Sequence, residues 1–214
     1  MDIVVKNLHF KRGSFSLDIK EFTARRGERI AVLGLNGSGK TTFFDCLLGL
    51  HNYEGEVRIL DKCPKKYFKQ INPHIAYCMQ NPDDQLFCLT VRDDILFAPR
   101  NFGLLKEHTE DSIISSTNEL IDVSSLLEKA PYELSYGEKK RCVIASCLSY
   151  SPKILLLDEP TAMLDHEQKD NLRKVILGIK DTTILIASHD YEWVRSICPR
   201  ELMLKDGAPV LHNL

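Results

Sequence analysis

Residues 34–41 constrain the fold of this chain more than any other segment. They read Gly-Leu-Asn-Gly-Ser-Gly-Lys-Thr, which fits G-x-x-x-x-G-K-[S/T], the pattern of a loop whose backbone N–H groups surround phosphate oxygens. The almost continuous apolar run at residues 29–34 is typical of a strand buried on both faces, and the apolar spacing over residues 43–48 predicts a helix. A strand, such a loop and a helix in this order predict a nucleotide-binding site.

The predicted loop gives its polar groups roles in holding a nucleotide. The Lys40 ammonium is expected to bridge the outer phosphates of ATP, and the Thr41 hydroxyl is expected to ligate Mg²⁺. The alternative is a glycine-rich turn with an exposed lysine, which predicts no ligand. The residues expected to contact the nucleotide are Gly34, Leu35, Asn36, Gly37, Ser38, Gly39, Lys40, Thr41 and Thr42.

A second apolar strand, predicted over residues 153–158, ends in two adjacent carboxylates, Asp158 and Glu159. Ligands of an open α/β sheet bind beyond the carboxyl ends of its strands. Asp158 is therefore expected to hold Mg²⁺ through water, and Glu159 to polarise an attacking water molecule. A solvated turn is the simpler explanation for an isolated Asp-Glu pair, and the phosphate loop in the same chain weakens it.

The hydrophobic pattern divides the rest of the chain. Before residue 29, apolar and polar residues alternate, which predicts antiparallel strands with one wet face. Between residues 90 and 150 the periodicity is helical, and strand signals return at residues 183–188 and, as a hairpin, around residues 206–207. The other predicted elements are strands at residues 57–60 and 75–79 and a helix at residues 165–179. Alternating strands and helices predict a parallel sheet, with the helical middle inserted into it.

The composition is that of an ordinary globular protein and excludes a disordered, collagenous or fibrous chain. The chain has 214 residues, 43% of them hydrophobic, and a net charge of −2, so no overall positive field favours nucleic acid. An N-terminal signal sequence and an apolar run of membrane-spanning length are both lacking, which predicts a cytosolic chain. The seven cysteines are scattered and never spaced C-x-x-C, so we expect reduced, packed thiols.

Residues 134–138, Leu-Ser-Tyr-Gly-Glu, precede a predicted helix. Taken alone, Ser135 and Glu138 form a helix capping box. The same helix N-terminus could also receive an anion. The sequence around this segment leaves both uses open.

Six motifs in one order resemble the ATP-binding cassette (ABC) ATPases over essentially the whole chain. In chain order these are the phosphate loop, Gln80 after a strand, residues 134–138, residues 154–160, residues 163–165 and His189 after a strand. Within that family, residues 79–87, 90–97 and 101–104 are similar to the energy-coupling-factor branch, the ATPases of cobalt, nickel and vitamin uptake.

The resemblance implies an α/β fold: a P-loop NTPase (RecA-like) core with an N-terminal antiparallel β subdomain and an inserted α-helical subdomain. Residues 1–214 would form a single domain. Residues 1–80 and 151–214 would supply the nucleotide-binding core and the antiparallel part, and residues 81–150 the helical signature subdomain.

The resemblance also implies site roles. Two subunits would enclose two ATP molecules head to tail, with Ser135, Gly137 and Glu138 of one facing the γ-phosphate held by Lys40 of the other. Gln80 would complete the Mg²⁺ and water shell, and His189 would hydrogen-bond the γ-phosphate. Asp165 would set a dimer-facing loop, or would simply cap a helix. Glu159, His189, Gln80 and Lys40 are thus the expected catalytic residues, and Thr41, Gln80 and Asp158 the expected metal site.

The chain departs from the family pattern at three positions. Tyr136 and Glu138 stand where the family signature usually has Gly and Gln. Arg12 stands where an aromatic residue normally stacks on adenine, so Arg12 is expected in the nucleotide site, stacking by its guanidinium plane, with Phe10 or Phe15 as alternatives.

The resemblance implies an ATP-hydrolysing subunit of a membrane importer, working on the cytoplasmic face of the cell membrane. Its partners would be a second ATPase subunit, identical or a paralogue, and integral membrane subunits on separate chains, with no nucleic acid. Some of the apolar residues near residue 90 would line a groove for a helix of the membrane partner, and the alternative for each is a place in the core of the helical lobe. The candidates are Leu86, Phe87, Leu89, Leu96 and Phe97. The alternatives are a soluble ABC-type ATPase acting on DNA or ribosomes and, third, a small-molecule kinase.

Overall fold

The computed structural model describes residues 1–209, and these residues form two β-sheets with seven α-helices. The strands are β1 (Ile3–Arg12), β2 (Phe15–Ala24), β3 (Arg29–Leu33), β4 (Glu54–Ile59), β5 (Ile75–Cys78), β6 (Ile154–Asp158), β7 (Thr183–Ser188), β8 (Arg200–Lys205) and β9 (Ala208–Pro209). The helices are α1 (Lys40–Leu47), α2 (Pro64–Ile71), α3 (Val91–Phe102), α4 (Glu110–Leu120), α5 (Tyr136–Leu148), α6 (His166–Gly178) and α7 (Tyr191–Arg195).

The smaller sheet is antiparallel with the order β2-β1-β4, and the larger has the order β5-β6-β7-β3-β8-β9. In the larger sheet β5, β6, β7, β3 and β8 are parallel, and only β9 pairs antiparallel, with β8. All residues of β6 and β7 are buried. Continuous apolar runs of this kind suit parallel strands that are covered on both faces.

Side-chain alternation along β3 separates two hydrophobic cores. Ile30 and Val32 belong to a core shared with the antiparallel sheet and α1. Ala31 and Leu33 belong to a core shared with α3, α4 and α5. Because neighbouring side chains of a strand point to opposite faces, one short strand anchors both layers of the molecule.

Polar side chains fix where the helices begin. At α3, α4, α5, α6 and α7 the residue before the helix accepts a hydrogen bond from a backbone N–H of the first turn, and these capping residues are Thr90, Thr109, Ser135, Asp165 and Asp190. None of the helices among residues 1–209 is both long and apolar enough to cross a membrane.

The hairpin of β8 and β9 ties the antiparallel sheet to the phosphate loop. Gly207, in its turn, donates its N–H to the Ser38 carbonyl at 3.2 Å and accepts from the Asp18 N–H at 2.7 Å. Gly207 has φ +79°, and a Cβ atom at this position would lie 1.7 Å from the Ser16 carbonyl oxygen. Only glycine fits this junction.

The predicted fold class is confirmed, and the differences are local. The sequence missed α2 and α7, because α2 buries only Pro64 and Ile71 and α7 is 5 residues long, so neither carries a sustained apolar period. Within the stretch of helical periodicity between residues 90 and 150, α4 ends at Leu120, which is exposed, while Ile121 packs into the core in extended conformation. The subdomain boundaries at residues 80 and 150 stay a prediction.

Candidate nucleotide-binding site

Close packing dictates glycine at both ends of the loop between β3 and α1. A Cβ atom at Gly34 would lie 2.3 Å from the Ser38 hydroxyl and 2.5 Å from the Leu204 carbonyl oxygen. Gly39 has φ +103°, and a Cβ atom there would lie 3.0 Å from the Phe15 ring. The Ser38 hydroxyl is buried and has no hydrogen-bond partner within the described residues. The loop therefore brings backbone and hydroxyl groups to one place in a way that suits a phosphate.

Lys40 is a buried cation at the first position of α1, with 6% of its surface exposed. Its ammonium donates to the Gly34 carbonyl at 2.8 Å and the Leu35 carbonyl at 3.3 Å, and it lies 3.2 Å from Glu159 Oε1. The contact with Glu159 is an ion pair without hydrogen-bond geometry, since Oε1 accepts no hydrogen bond within residues 1–209. The phosphate loop and the end of β6 thus share one buried charge pair.

Asp158 lies at the carboxyl end of β6, where the Thr41 hydroxyl donates to its Oδ2 at 2.6 Å. The Tyr77 hydroxyl donates to the same oxygen at 3.2 Å. Asp158 Oδ1 is buried without a hydrogen-bond partner in the described part of the chain. Burial raises the pKa of Asp158, and the hydrogen bonds from Thr41 and Tyr77 oppose that effect.

The oxygens of Asp158 and Thr41 fit Mg²⁺, which prefers hard oxygen ligands and keeps several waters or phosphate oxygens. Residues 1–209 contain no group of three or more His, Cys, Asp or Glu side chains that could hold a metal ion. The described residues therefore do not form a closed metal site made only of these protein side chains. One carboxylate and one hydroxyl beside a phosphate loop are what a nucleotide-bound Mg²⁺ needs.

Glu159 is held in a strained backbone conformation, with φ +46°. Its Oε2 accepts the His189 N–H at 3.3 Å and lies 2.9 Å from His189 Nδ1. Its own N–H donates to the Ala187 carbonyl of β7 at 2.8 Å. The carboxylate is thus fixed between Lys40 and His189 at the edge where β6 and β7 end.

A cavity of about 510 Å³ joins most of the predicted site residues. Its lining consists of Arg12, Phe15, Asn36, Gly37, Gly39, Lys40, Thr41, Thr42, Gln80, Asp158 and Glu159. Gly34, Leu35 and Ser38 support the loop from outside this lining, and His189 reaches the site through Glu159. Tyr77 was missed by the sequence analysis, because its contact with Asp158 depends on β5 pairing with β6.

Ser135, Gly137 and Glu138 do not line this cavity. Ser135 and Glu138 form the capping box of α5, in which the Ser135 N–H and hydroxyl both donate to Glu138 Oε2 at 2.8 Å. A Cβ atom at Gly137 would lie 2.6 Å from Gln168 Nε2 of α6. Asp165 caps α6 through a capping box with Gln168. Of the alternatives left open by the sequence, the capping interactions are present, and the roles toward a second subunit stay predictions.

Comparison with known proteins agrees with this geometry. The family model described as "ABC transporter" matches residues 17–162. The energy-coupling factor transporter ATP-binding protein EcfA of Methanothermobacter thermautotrophicus is 41% identical over 189 residues, which cover 85% of this chain and 60% of that protein. EcfA of Methanocaldococcus jannaschii is 35% identical over 214 residues, which cover 96% of this chain and 76% of that protein.

Two solved structures have the same fold. CbiO1 of Clostridium perfringens, described as part of the ABC transporter complex CbiONQ, has a TM-score of 0.84 at 29% identity, covering 98% of this chain and 87% of that one. The ATP-binding cassette MJ0796, a dimer bound to ADP and Pi, has a TM-score of 0.84 at 22% identity, covering 99% and 97%. The second likeness concerns the fold alone.

The chain spans 60% of the length of the Methanothermobacter protein and 63% of a putative ABC transporter ATP-binding protein of Synechocystis. The family match nevertheless covers more than half of this chain, and it includes the phosphate loop and the two carboxylates at the end of β6, Asp158 and Glu159. The chain therefore belongs to the ABC transporter family of ATPases, as the order of its motifs predicted.

Proposed function

We propose that this chain binds and hydrolyses ATP and powers a membrane importer of the energy-coupling-factor type, whose solute is a metal ion such as cobalt or nickel, or a vitamin. The observation that carries the proposal is the 2.6 Å contact between Thr41 and Asp158. It joins the phosphate loop to a carboxylate 117 residues further along the chain. The residues proposed to bind phosphate and the metal ion therefore line one cavity.

In the proposed binding step, the N–H groups of the loop and the Lys40 ammonium receive the phosphates of ATP. Thr41 and Asp158 would hold Mg²⁺, and Gln80, which lines the same cavity from the loop after β5, would complete that site. When bound, Mg²⁺ supplies charge neutralisation at the phosphates. Arg12 and Phe15 line the cavity and are the proposed contacts of the adenine ring.

In the proposed hydrolytic step, Glu159 orients and polarises the attacking water molecule. Its carboxylate is held by the backbone N–H and the ring Nδ1 of His189, so its position is set before nucleotide binds and needs little reorganisation. His189 is 57% exposed at its side chain and is the proposed hydrogen-bond partner of the γ-phosphate. Ser135, Gly137 and Glu138 would close the site on the ATP of a second subunit, identical or a paralogue.

The structure corrects the predicted groove for the membrane partner. Leu86 and Leu96, which the sequence offered as candidates, are 8% and 0% exposed and belong to the hydrophobic core. Phe87, Leu89 and Phe97 are 63%, 87% and 46% exposed. These three side chains form the proposed docking surface, and the Phe87 and Phe97 rings pack edge to face with centroids 4.8 Å apart.

The importer assignment rests on the relatives. Two of them are named as energy-coupling factor transporter proteins, and CbiO1 is described as part of a transporter complex. The proposed partners are therefore integral membrane subunits on separate chains, with this chain on the cytoplasmic face of the membrane. The relatives compared are named as transporter proteins, so the alternative of action on DNA or ribosomes is not favoured.

The substitution Glu159→Gln tests the proposed chemistry. It should keep ATP affinity, reduce turnover by a factor on the order of 100 or more, and accumulate an ATP-bridged dimer on a sizing column. The reason is that the amide keeps the shape of the side chain and cannot accept a proton from water.

Lys40→Ala is the matched comparison, because it should weaken ATP binding itself. Normal hydrolysis by the Glu159→Gln variant would remove Glu159 from the mechanism. Hydrolysis strictly proportional to protein concentration, with no dimer of that variant, would contradict the two-subunit site.

A further inference from the structure

Lys140 on α5 is a buried cation that the proposed mechanism does not use, with 1% of its surface exposed. Its ammonium donates to the Met79 carbonyl at 2.9 Å and to the Gln80 carbonyl at 2.8 Å. No carboxylate of residues 1–209 forms an ion pair with it within 4.0 Å. Because burying an ammonium group costs free energy, the hydrogen bonds to these two carbonyls are the interactions that stabilise the buried charge.

Two other side chains of the same helix turn contact the same loop. The Tyr136 hydroxyl, one turn before Lys140, donates to the Gln80 carbonyl at 3.3 Å. Lys139 pairs with Asp83 at 2.6 Å. The Gln80 carbonyl therefore has two donors from α5. Tyr136 is also one of the positions where this chain departs from the family signature, and the usual Gly has no hydroxyl to donate.

We propose that Lys140 and Tyr136 are positioning residues that clamp the backbone of Gln80, and thereby set how its side chain faces the nucleotide and Mg²⁺. The inference rests on the proposed function of that site. It also connects two parts of the site, because Tyr136 follows Ser135 directly in the sequence. A movement of Gln80 is then carried to Ser135 through the first turn of α5, with no intervening loop.

A purely structural role for Lys140 predicts a different pattern of effects. In that case the loss of Lys140 would lower the stability of α5 by the same amount whether or not the Gln80 side chain is present. A clamp predicts that the function of Gln80 is lost together with Lys140, and that the two losses are not additive.

The first experiment measures the loop directly, in the intact chain without nucleotide. Lys140→Met and Tyr136→Phe are compared with the wild type by amide hydrogen exchange of residues 79–84. Both should exchange faster, Lys140→Met more strongly. Ile144→Val, a buried change one turn further along the same helix, is the control for lost packing.

The second experiment measures ATP affinity with and without Mg²⁺ by titration calorimetry. Lys140→Met should weaken the Mg²⁺-dependent affinity by about 10- to 100-fold, as expected for the loss of a group that orients a metal-site residue. Its affinity without Mg²⁺ should stay near that of the wild type. In a protein that already carries Gln80→Ala, adding Lys140→Met should weaken the Mg²⁺-dependent ATP affinity only slightly further.

Unchanged exchange of the loop in Tyr136→Phe and Lys140→Met, or additive losses with Gln80→Ala, would overturn the clamp. If Lys140→Met does not fold, Tyr136→Phe decides alone, since it removes one hydroxyl from an only partly covered side chain. Hydrogen exchange needs no ATP, so a chain that proved not to hydrolyse ATP would contradict the proposed function and leave the exchange result to decide the clamp.

Discussion

At the residue scale, Asp158 shows how a site that suits Mg²⁺ can weaken the fold. Its Oδ1 is buried without a hydrogen bond in the described chain, and burial raises its pKa. A carboxyl group whose pKa is higher in the folded protein binds protons more readily there, so its ionisation destabilises the fold as the pH rises through that pKa. Charge that favours Mg²⁺ thus costs stability when the metal ion is absent.

The substitution Asp158→Asn should therefore raise the stability of the nucleotide-free protein at neutral pH by about 1 kcal/mol. The gain should disappear as the pH falls below the usual range of carboxyl pKa values, where the wild-type group is protonated in both states. Urea unfolding at several pH values measures this effect. Mg²⁺-dependent ATP binding should be lost at the same time.

Asp165→Asn is the control for that prediction, because Asp165 caps α6 and Asn caps helices about as well. It should change stability little at any pH. A destabilised Asp158→Asn protein at neutral pH would contradict the argument from buried charge.

At the element scale, the segment before α3 is shaped by a buried carboxylate. Asp94, 5% exposed, accepts the Phe87 and Cys88 N–H groups at 3.1 Å each. These bonds fix the turn from which Phe87 and Leu89 extend into solvent. The proposed docking surface is therefore preformed, which lowers the entropy cost of binding a partner helix.

Phe87→Asp should leave the melting temperature and ATP affinity nearly unchanged and abolish copurification with the membrane subunits from the native host. Leu86→Asp should instead lower stability by roughly 3 kcal/mol or more, because Leu86 lies in the core. Tyr132→Asp, at an aromatic that is 85% exposed in the short 3-10 helix of residues 131–133, is the control for surface charge. Normal partner capture by Phe87→Asp would place the docking surface elsewhere.

The sequence predicted the site residues whose positions local pattern determines and missed the contacts that depend on how distant segments pack together. The loop at Lys40 and the carboxylates at Asp158 follow continuous apolar strands, so their place at strand ends was predictable. The Tyr77 hydroxyl and the Lys140 ammonium reach the site only because β5 lies beside β6 and α5 lies beside the loop after β5. Strand order and helix placement depend on contacts between distant segments, so the local periodicity of the sequence does not predict them.

At the scale of the whole molecule, the hairpin of β8 and β9 supports the phosphate loop from behind. Gly207→Ala should lower stability by more than about 2 kcal/mol and weaken ATP binding, because a Cβ atom cannot fit 1.7 Å from the Ser16 carbonyl oxygen. Gly13→Ala is the matched control, with φ +61° and no atom within 4 Å of the added carbon. It should cost about 1 kcal/mol through backbone strain alone. Thermal unfolding measures the stability of the two variants, and ATP titration measures their affinity. Equal losses in Gly207→Ala and Gly13→Ala would contradict the argument from close packing.

The strand order has a consequence for how the protein is made. The phosphate loop lies within the first 41 residues of the chain, yet β3, which carries it, is flanked by β7 and β8, from residues 183–188 and 200–205. A ribosome translates the loop well before these two neighbouring strands. The glycine-rich loop therefore lacks the two strands that flank β3 until residue 205 has been translated, and the nucleotide site can assemble only after that point.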